Sequence, residues 1–297
     1  MKRTVLVRLL AGMLVLAGAW VAYTQTPQGN QGKAKGPPPL DLIKVTDDLY
    51  VISDGGSGNV AVYVTNEGVI LVDDKYDRNF DELMANIKKV TSQPVKYVMS
   101  THYHADHSGG NTHFSSIAEI ISTRNAHDGI VQKKQQGAPA DMIPARVTFT
   151  DESDVFLGGK EVRAKYYGRG HTGGDAVVYF PALKVLHTGD LFIIPTWLID
   201  YAGGGSLLDW PKTLDAVLND KTLDFDTVIP GHGPVSKRAD LVAYQKRVAS
   251  MVSRVQGMIR AGKTQDDVSA VLAAEFSWPV KSIYQQWGLP GMMAELK

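Results

Sequence analysis

Cysteine is absent from the 297-residue chain. That absence excludes disulfide bonds, a lipid-modified cysteine, a thiolate nucleophile and thiolate metal ligands. The core must suffice for stability, and any metal site can use only nitrogen and oxygen donors. An excess of one charge is missing too, since 31 Lys and Arg stand against 31 Asp and Glu. With no basic stripe and no acidic tail, nucleic acid is not expected as a partner. No short-period repeat is visible. The N-terminal apolar run from Leu9 to Tyr23 is shorter than the ~20 residues a membrane-spanning helix needs. Lys2, Arg3 and Arg8 precede or begin it, and Ala17-Gly18-Ala19 offers a small-x-small cleavage site before Trp20. That is the shape of a secretory signal, with an uncleaved anchor as the alternative and membrane association expected only in that case. Removing residues 1–19 leaves 28 basic against 31 acidic residues, a net charge of −3. Residues 1–24 are thus expected to be a signal peptide or anchor, 25–39 a Pro- and Gly-containing linker, and 40–297 one folded domain. A bacterial periplasmic or secreted location follows as an expectation.

What is present in quantity is histidine in one place. Thr101-His102-Tyr103-His104-Ala105-Asp106-His107 gathers three of the eight histidines and a carboxylate within six positions. Imidazole and carboxylate hold zinc and similar divalent ions, and packing rarely demands such a run, because each polar group needs a partner if buried. Ser108-Gly109-Gly110-Asn111 follows, so the cluster is expected to end a strand and enter a loop.

Strand-like runs are expected at 49–53, 60–65, 69–73, 95–100, 118–123, 146–150, 155–157, 162–167, 176–180, 185–186 and 227–230. Helical periods cover 80–90, 126–136, 207–218 and 239–261, with 266–276 as the last regular helix. Strands come before helices in each half, which suggests sheets packed together with helices outside. Four further sites share the form of a strand ending in a Gly-flanked polar residue: Asp73 after Val69–Val72, His171 in Gly170-His171-Thr172-Gly173, Asp190 in Thr188-Gly189-Asp190, and His232 in Gly231-His232-Gly233. Taken singly, each reads as a structural histidine or a turn-forming aspartate. His187 is expected to support the Asp190 loop, and His113 and His127 to be surface or helix residues.

Taken together and in this order, these residues resemble the metallo-β-lactamase-fold hydrolase superfamily, whose signature is a strand-end Asp, then His-x-His-x-Asp-His, then His, Asp and His. The resemblance spans roughly Asp48 to the C-terminus. It implies an α/β (α+β) fold, a four-layer αββα sandwich with metals at one edge of the two sheets, and a metal-dependent hydrolase. It also implies that His102, His104 and His171 bind a first metal, that Asp106, His107 and His232 bind a second, and that Asp190 bridges both. Asp73 would support the ligand loop from behind. The implied cofactor is two Zn2+ per chain, with iron or manganese open to the same donors. Seven ligands exceed the four of one tetrahedral zinc. Two divalent ions with five neutral imidazoles and two carboxylates leave a charge near +2, so a bridging water would readily yield the hydroxide that attacks substrate. Asp106 and Asp190 are the carboxylates assigned to catalysis. The substrate pocket is expected to involve Tyr103 at its mouth and Trp197 and Tyr201 from the loop Pro195–Ser206.

True β-lactamases of the superfamily usually carry Cys or Ser where Asp190 stands, whereas a bridging Asp is usual in its thioesterases, lactonases and phosphodiesterases. Export points the other way, because β-lactams are met in the periplasm. The expected substrate is therefore a small amide, lactam, lactone or ester. The alternative is a periplasmic accessory metalloprotein in cofactor maturation or relay for a dehydrogenase, with incidental hydrolysis.

Overall fold

In the computed structural model, residues 38–136, 142–195 and 197–297 are described. The expected signal segment and nearly all of the expected linker lie outside the described residues. The body from Pro39 to Lys297 is one compact unit, and no described helix is long and apolar enough to cross a membrane.

The first half builds a seven-stranded sheet in sequence order. Its strands are β1 (Asp41–Lys44), β2 (Leu49–Ser53), β3 (Val60–Val64), β4 (Val69–Val72), β5 (Val95–Ser100), β6 (Glu119–Thr123) and β7 (Val147–Phe149). The first four run antiparallel, and β4 to β7 run parallel. Between these strands lie α1 (Phe80–Lys88), α2 (Ala105–Ser108), α3 (Asn111–Phe114) and α4 (Arg124–Gln135). The second half builds a six-stranded sheet from β8 (Glu152–Leu157), β9 (Lys160–Tyr166), β10 (Ala176–Phe180), β11 (Val185–His187), β12 (Thr227–Ile229) and β13 (Ser236–Lys237). Its order is β13-β12-β11-β10-β9-β8, antiparallel except for β11 with β12. The remaining helices are α5 (Trp210–Asn219), α6 (Arg238–Arg260), α7 (Gln265–Phe276) and α8 (Ile283–Glu295).

The layers follow from the two-residue period of a strand, which sends alternate side chains to opposite faces. On β3, Ala61 and Tyr63 join the apolar cluster between the sheets, while Val60 and Val62 face the one that includes Leu83 and Ile87 of α1. On β10, Ala176, Val178 and Phe180 point between the sheets, and Val177 and Tyr179 point to the cluster built with α5 to α8. Strands buried on both faces read as continuous apolar runs. The result is the expected αββα sandwich.

The helix at 265–276 is not the last. α8 follows it, carrying Gly288, Pro290 and Gly291 inside its length. Those residues suppress a helical reading of the sequence, but tertiary contacts hold the helix. Ser282 Oγ caps its start by accepting from Gln285 N at 3.2 Å. Near its end Glu295 accepts from Tyr201 Oη at 2.9 Å, from Leu208 N at 3.1 Å and from Ser206 Oγ. Gly291 is where the helix meets the ring of Tyr201, which a side chain there would overlap.

Candidate metal centre

The carboxyl ends of β4, β5, β11 and β12 deliver four of the polar segments to one edge of the sandwich, and the loop between β9 and β10 delivers the fifth. His102, His104, His171 and Asp190 form one group, and Asp106, His107 and His232 form another; within each group the potential ligand atoms lie within 4.8 Å of one another. Asp190 stands between them with its two oxygens divided. Oδ2 lies 3.3 Å from His171 Nε2 and 3.9 Å from His102 Nε2. Oδ1 lies 3.2 Å from His107 Nε2 and 3.5 Å from His232 Nε2. Asp106 Oδ2 is 3.2 Å from His232 Nε2 and 3.7 Å from His107 Nε2.

The outward nitrogen of every one of these imidazoles is committed. His171 Nδ1 donates to Leu198 O at 2.8 Å, His107 Nδ1 to Asp73 Oδ2 at 2.7 Å, His232 Nδ1 to Gly56 O at 3.1 Å and His104 Nε2 to Asp200 Oδ2 at 2.9 Å. Thr101 gives its hydroxyl proton to Asp73 Oδ2 at 2.8 Å, so its oxygen accepts from His102 Nδ1 at 3.1 Å. With its proton on the outward nitrogen, each neutral ring turns a lone pair inward. The inward nitrogens face one another at 2.9 Å (His104 Nδ1 and His171 Nε2) and 3.2 Å (His107 Nε2 and His232 Nε2). His102 Nε2 and Asp190 Oδ1 are buried with no hydrogen-bond partner. Such a set of donors fits metal cations, with the four-residue group suited to one ion and the other group, sharing Asp190, to a second.

Electrostatics divide the two groups. Burial drives His102 well below its ordinary pKa and His171 down to about 4. Burial also acts against a charged His107 and His232, but the surrounding carboxylates outweigh it. Asp190, Asp106 and Asp73 raise His107 well above its usual value, and Asp190 and Asp106 push His232 to about 10. Burial would raise Asp190, yet His232, His107 and His171 hold it well below the carboxylate range.

Asp73 follows β4 and lies behind the histidine loop. It has a left-handed backbone (φ 63°) and accepts from Thr101 N at 2.7 Å as well as from Thr101 Oγ1 and His107, tying the ligand loop to β4. His187 supports the Asp190 loop, its Nδ1 accepting from Gly189 N at 3.1 Å. His113 pairs with Asp77 at 2.8 Å on the surface, and His127 on α4 meets Ala145 O at 2.8 Å.

The three aromatic residues expected at the pocket lie elsewhere. The cleft over the two donor groups, about 470 Å³, is lined by Gly55, Gly56, Tyr76, His104, Ala105, Asp106, Asp190, Ile193, Ile194, Pro195, Leu198, His232, Tyr284 and Trp287. Tyr103 is buried and donates to Asp200 instead of reaching the cleft. Trp197 is core, stacked on Tyr244 at 4.7 Å with Nε1 donating to Phe276 O. Tyr201 is turned to Glu295. The loop after Asp190 does wall the cleft, through Pro195 and Leu198, because its amphipathic aromatics find buried partners behind it.

Three residues escape sequence reasoning. Asp200 orients His104 and has no motif to mark it. Tyr284 and Trp287 reach the cleft from α8, and an i, i+3 aromatic pair on one helix face was the available signal.

The family model described as the metallo-beta-lactamase superfamily matches residues 53–232. The chain is 28% identical over 178 residues to metallo-beta-lactamase IND-1 of Chryseobacterium indologenes, covering 59% of this chain and 72% of that protein. It is 26% identical over 204 residues to metallo-beta-lactamase type 2 of Elizabethkingia meningoseptica, covering 66% and 79%. Among solved structures, the DIM-1 metallo-beta-lactamase superposes with a TM-score of 0.61 at 24% identity, covering 72% of this chain and 98% of that one. The mono-zinc form of FIM-1 from Pseudomonas aeruginosa gives 0.62 at 19% identity, covering 74% and 99%. The matched span runs from the end of β2 to His232 and takes in every residue of both donor groups, so this chain belongs to the metallo-beta-lactamase superfamily and is a metal-dependent hydrolase.

Proposed function

We propose that this chain is an exported dinuclear zinc hydrolase acting on a small amide, lactam, lactone or ester. The observation that carries the reading is the set of five imidazoles whose inward nitrogens gather around one carboxylate, its two oxygens facing different groups. His102, His104 and His171 would hold one ion, Asp106, His107 and His232 the other, and Asp190 both. Two bound zinc ions would supply Lewis-acid polarisation of the scissile carbonyl and a water acidified to a pKa of about 7. The chain's own part is to fix that constellation from behind through Asp73, Asp200, Leu198 O and Gly56 O. Asp106, at the cleft floor, presents a carboxylate to which the attacking water can pass its proton on the way to the leaving group.

The basic N-terminal stretch and the apolar run after it support export, and the relatives named as metallo-beta-lactamases support a lactam or a related cyclic amide or ester. Purified protein assayed with a cephalosporin, an acyl-lactone and a phosphodiester, with and without chelator and alongside metal analysis, tests the reading. About two zinc ions per chain and chelator-sensitive turnover of the lactam or lactone are expected. A metal-loaded protein inert toward all three would instead favour an accessory role.

A further inference from the structure

The cleft differs in character from its floor. Above the polar cluster its wall is apolar, formed by Ile193, Ile194, Pro195 and Leu198 from the loop after Asp190 and by Tyr284 and Trp287 from α8. Tyr284 and Trp287 are 40% and 57% exposed, while the helix that carries them is firmly docked. Gln285 Nε2 donates to Ser269 O and Trp278 O, and Glu295 closes the other end against Tyr201, Ser206 and Leu208. Two large aromatic side chains are thus held at the mouth of a cleft without being needed by the core.

Positive charge is missing from the same wall. Among the described residues that line the cleft there is no Lys or Arg. The cations nearby in the chain are engaged otherwise. The Lys75 ammonium is buried and donates to Gly58 O at 2.7 Å and Ser57 Oγ at 2.9 Å, and Arg78 lies 3.9 Å over the Tyr76 ring. Among the described lining residues, a substrate carboxylate would find a cationic partner only at the metal centre, in competition with the scissile carbonyl.

Resting on the hydrolase reading above, we propose that the substrate is an uncharged small ester, lactone or lactam with an apolar acyl or aryl arm, and that Tyr284 and Trp287 of α8 form the subsite for that arm. In the reaction the oxygen of water bonds to the acyl carbon, the acyl C–O or C–N bond breaks, and one proton of the water passes to the leaving alkoxide or amine nitrogen. Chain length then sets kcat/KM. Full burial of a methylene corresponds to about fourfold, and a half-open wall should give about twofold.

The test uses the zinc-loaded protein and p-nitrophenyl esters from acetate to octanoate. The octanoate-to-acetate ratio of kcat/KM should reach roughly sixty, six methylenes at about twofold each. It should fall about tenfold in Trp287→Ala and also in Tyr284→Ala, while Phe156→Ala, an exposed apolar residue on β8 outside the cleft, should leave the ratio unchanged. The methyl ester of a β-lactam should outpace its free acid. A flat or falling chain-length series, a ratio insensitive to both aromatic variants, or a preference for the free acid overturns the proposal. Chelator-insensitive acetate turnover would instead overturn the hydrolase reading, and the subsite is then read by binding of 2-undecanone followed by tryptophan fluorescence. Weaker binding in Tyr284→Ala supports the subsite, and equal binding overturns it.

Discussion

Replacing Asp200 by Asn tests the view that the outward hydrogen bonds prepare the metal ligands. Asp200 Oδ1 accepts from Gly203 N at 2.9 Å, and Oδ2 accepts from His104 Nε2 at 2.9 Å and from the Tyr103 hydroxyl. Burial would raise its pKa, but His104 and Tyr103 hold it well below the carboxylate range, so it is charged at working pH. An amide has one acceptor and one donor end, and each end of this site faces a donor. In one orientation the NH2 opposes Gly203 N, and in the other it opposes His104. His104 is relieved only by moving its proton to Nδ1, which takes away the lone pair 2.9 Å from His171 Nε2. Loss of such an outer partner weakens metal binding roughly 10- to 100-fold, about 1.4 to 2.7 kcal/mol. Competition with a chromophoric chelator at fixed pH measures the affinity, and the melting temperature of the metal-free variant reports whether the fold is intact. A folded Asp200→Asn protein binding both ions as tightly as wild type would refute the reasoning.

The two donor groups should differ in their response to pH. His232 holds its proton up to about 10 in the metal-free protein, so binding to its group displaces a proton at neutral pH, whereas His171, at about 4, is already free. Going from pH 8 to pH 6 should weaken the second ion by up to about 100-fold per displaced proton and barely affect the first; equal pH slopes in metal titrations would contradict this. Asp190→Asn should lower the content of the second ion more than the first, as metal analysis after gel filtration would show, and full occupancy would count against the bridging role. In Gly58→Ala the new Cβ would come within 2.6 Å of Asp106 O and His107 Cε1. Overpacking of this kind costs about 1–3 kcal/mol, to be seen in denaturant unfolding together with weaker binding at the Asp106–His107 group. Glu295→Ala removes three hydrogen bonds that fasten α8, and a loss of about 1–3 kcal/mol in stability is expected, accompanied by a smaller octanoate preference; unchanged thermal unfolding would show that packing alone fastens the helix.

Much of the body was legible because its strands are buried on both faces and are written as apolar runs closed by Gly, Asp or His. Leu49–Ser53, Val95–Ser100 and Ala176–Phe180 fall where the runs predict them. The edge strands β1 and β13 are short and carry exposed residues, so no apolar run announces them. α8 was illegible for a different reason. Gly288, Pro290 and Gly291 argue locally against a helix, and its stability comes from Tyr201, Ser206 and Leu208, some ninety residues away in sequence.

The sequence by itself determined the kind of chemistry. With no cysteine and with His102, His104, Asp106 and His107 inside six positions, the ligand atoms could only be nitrogen and oxygen, and the local spacing of ligand types is a covalent property of the chain. Only the tertiary structure decided how the site is finished. It set the Asp190 oxygens between two groups, gave His104 a carboxylate from Asp200, and turned Trp197 and Tyr201 into the body while bringing Tyr284 and Trp287 to the cleft. Most of these contacts join residues far apart in the chain, such as His104 and Asp200 at 96 positions; they are fixed by sheet packing and burial, and nothing in the local pattern of the chain encodes them.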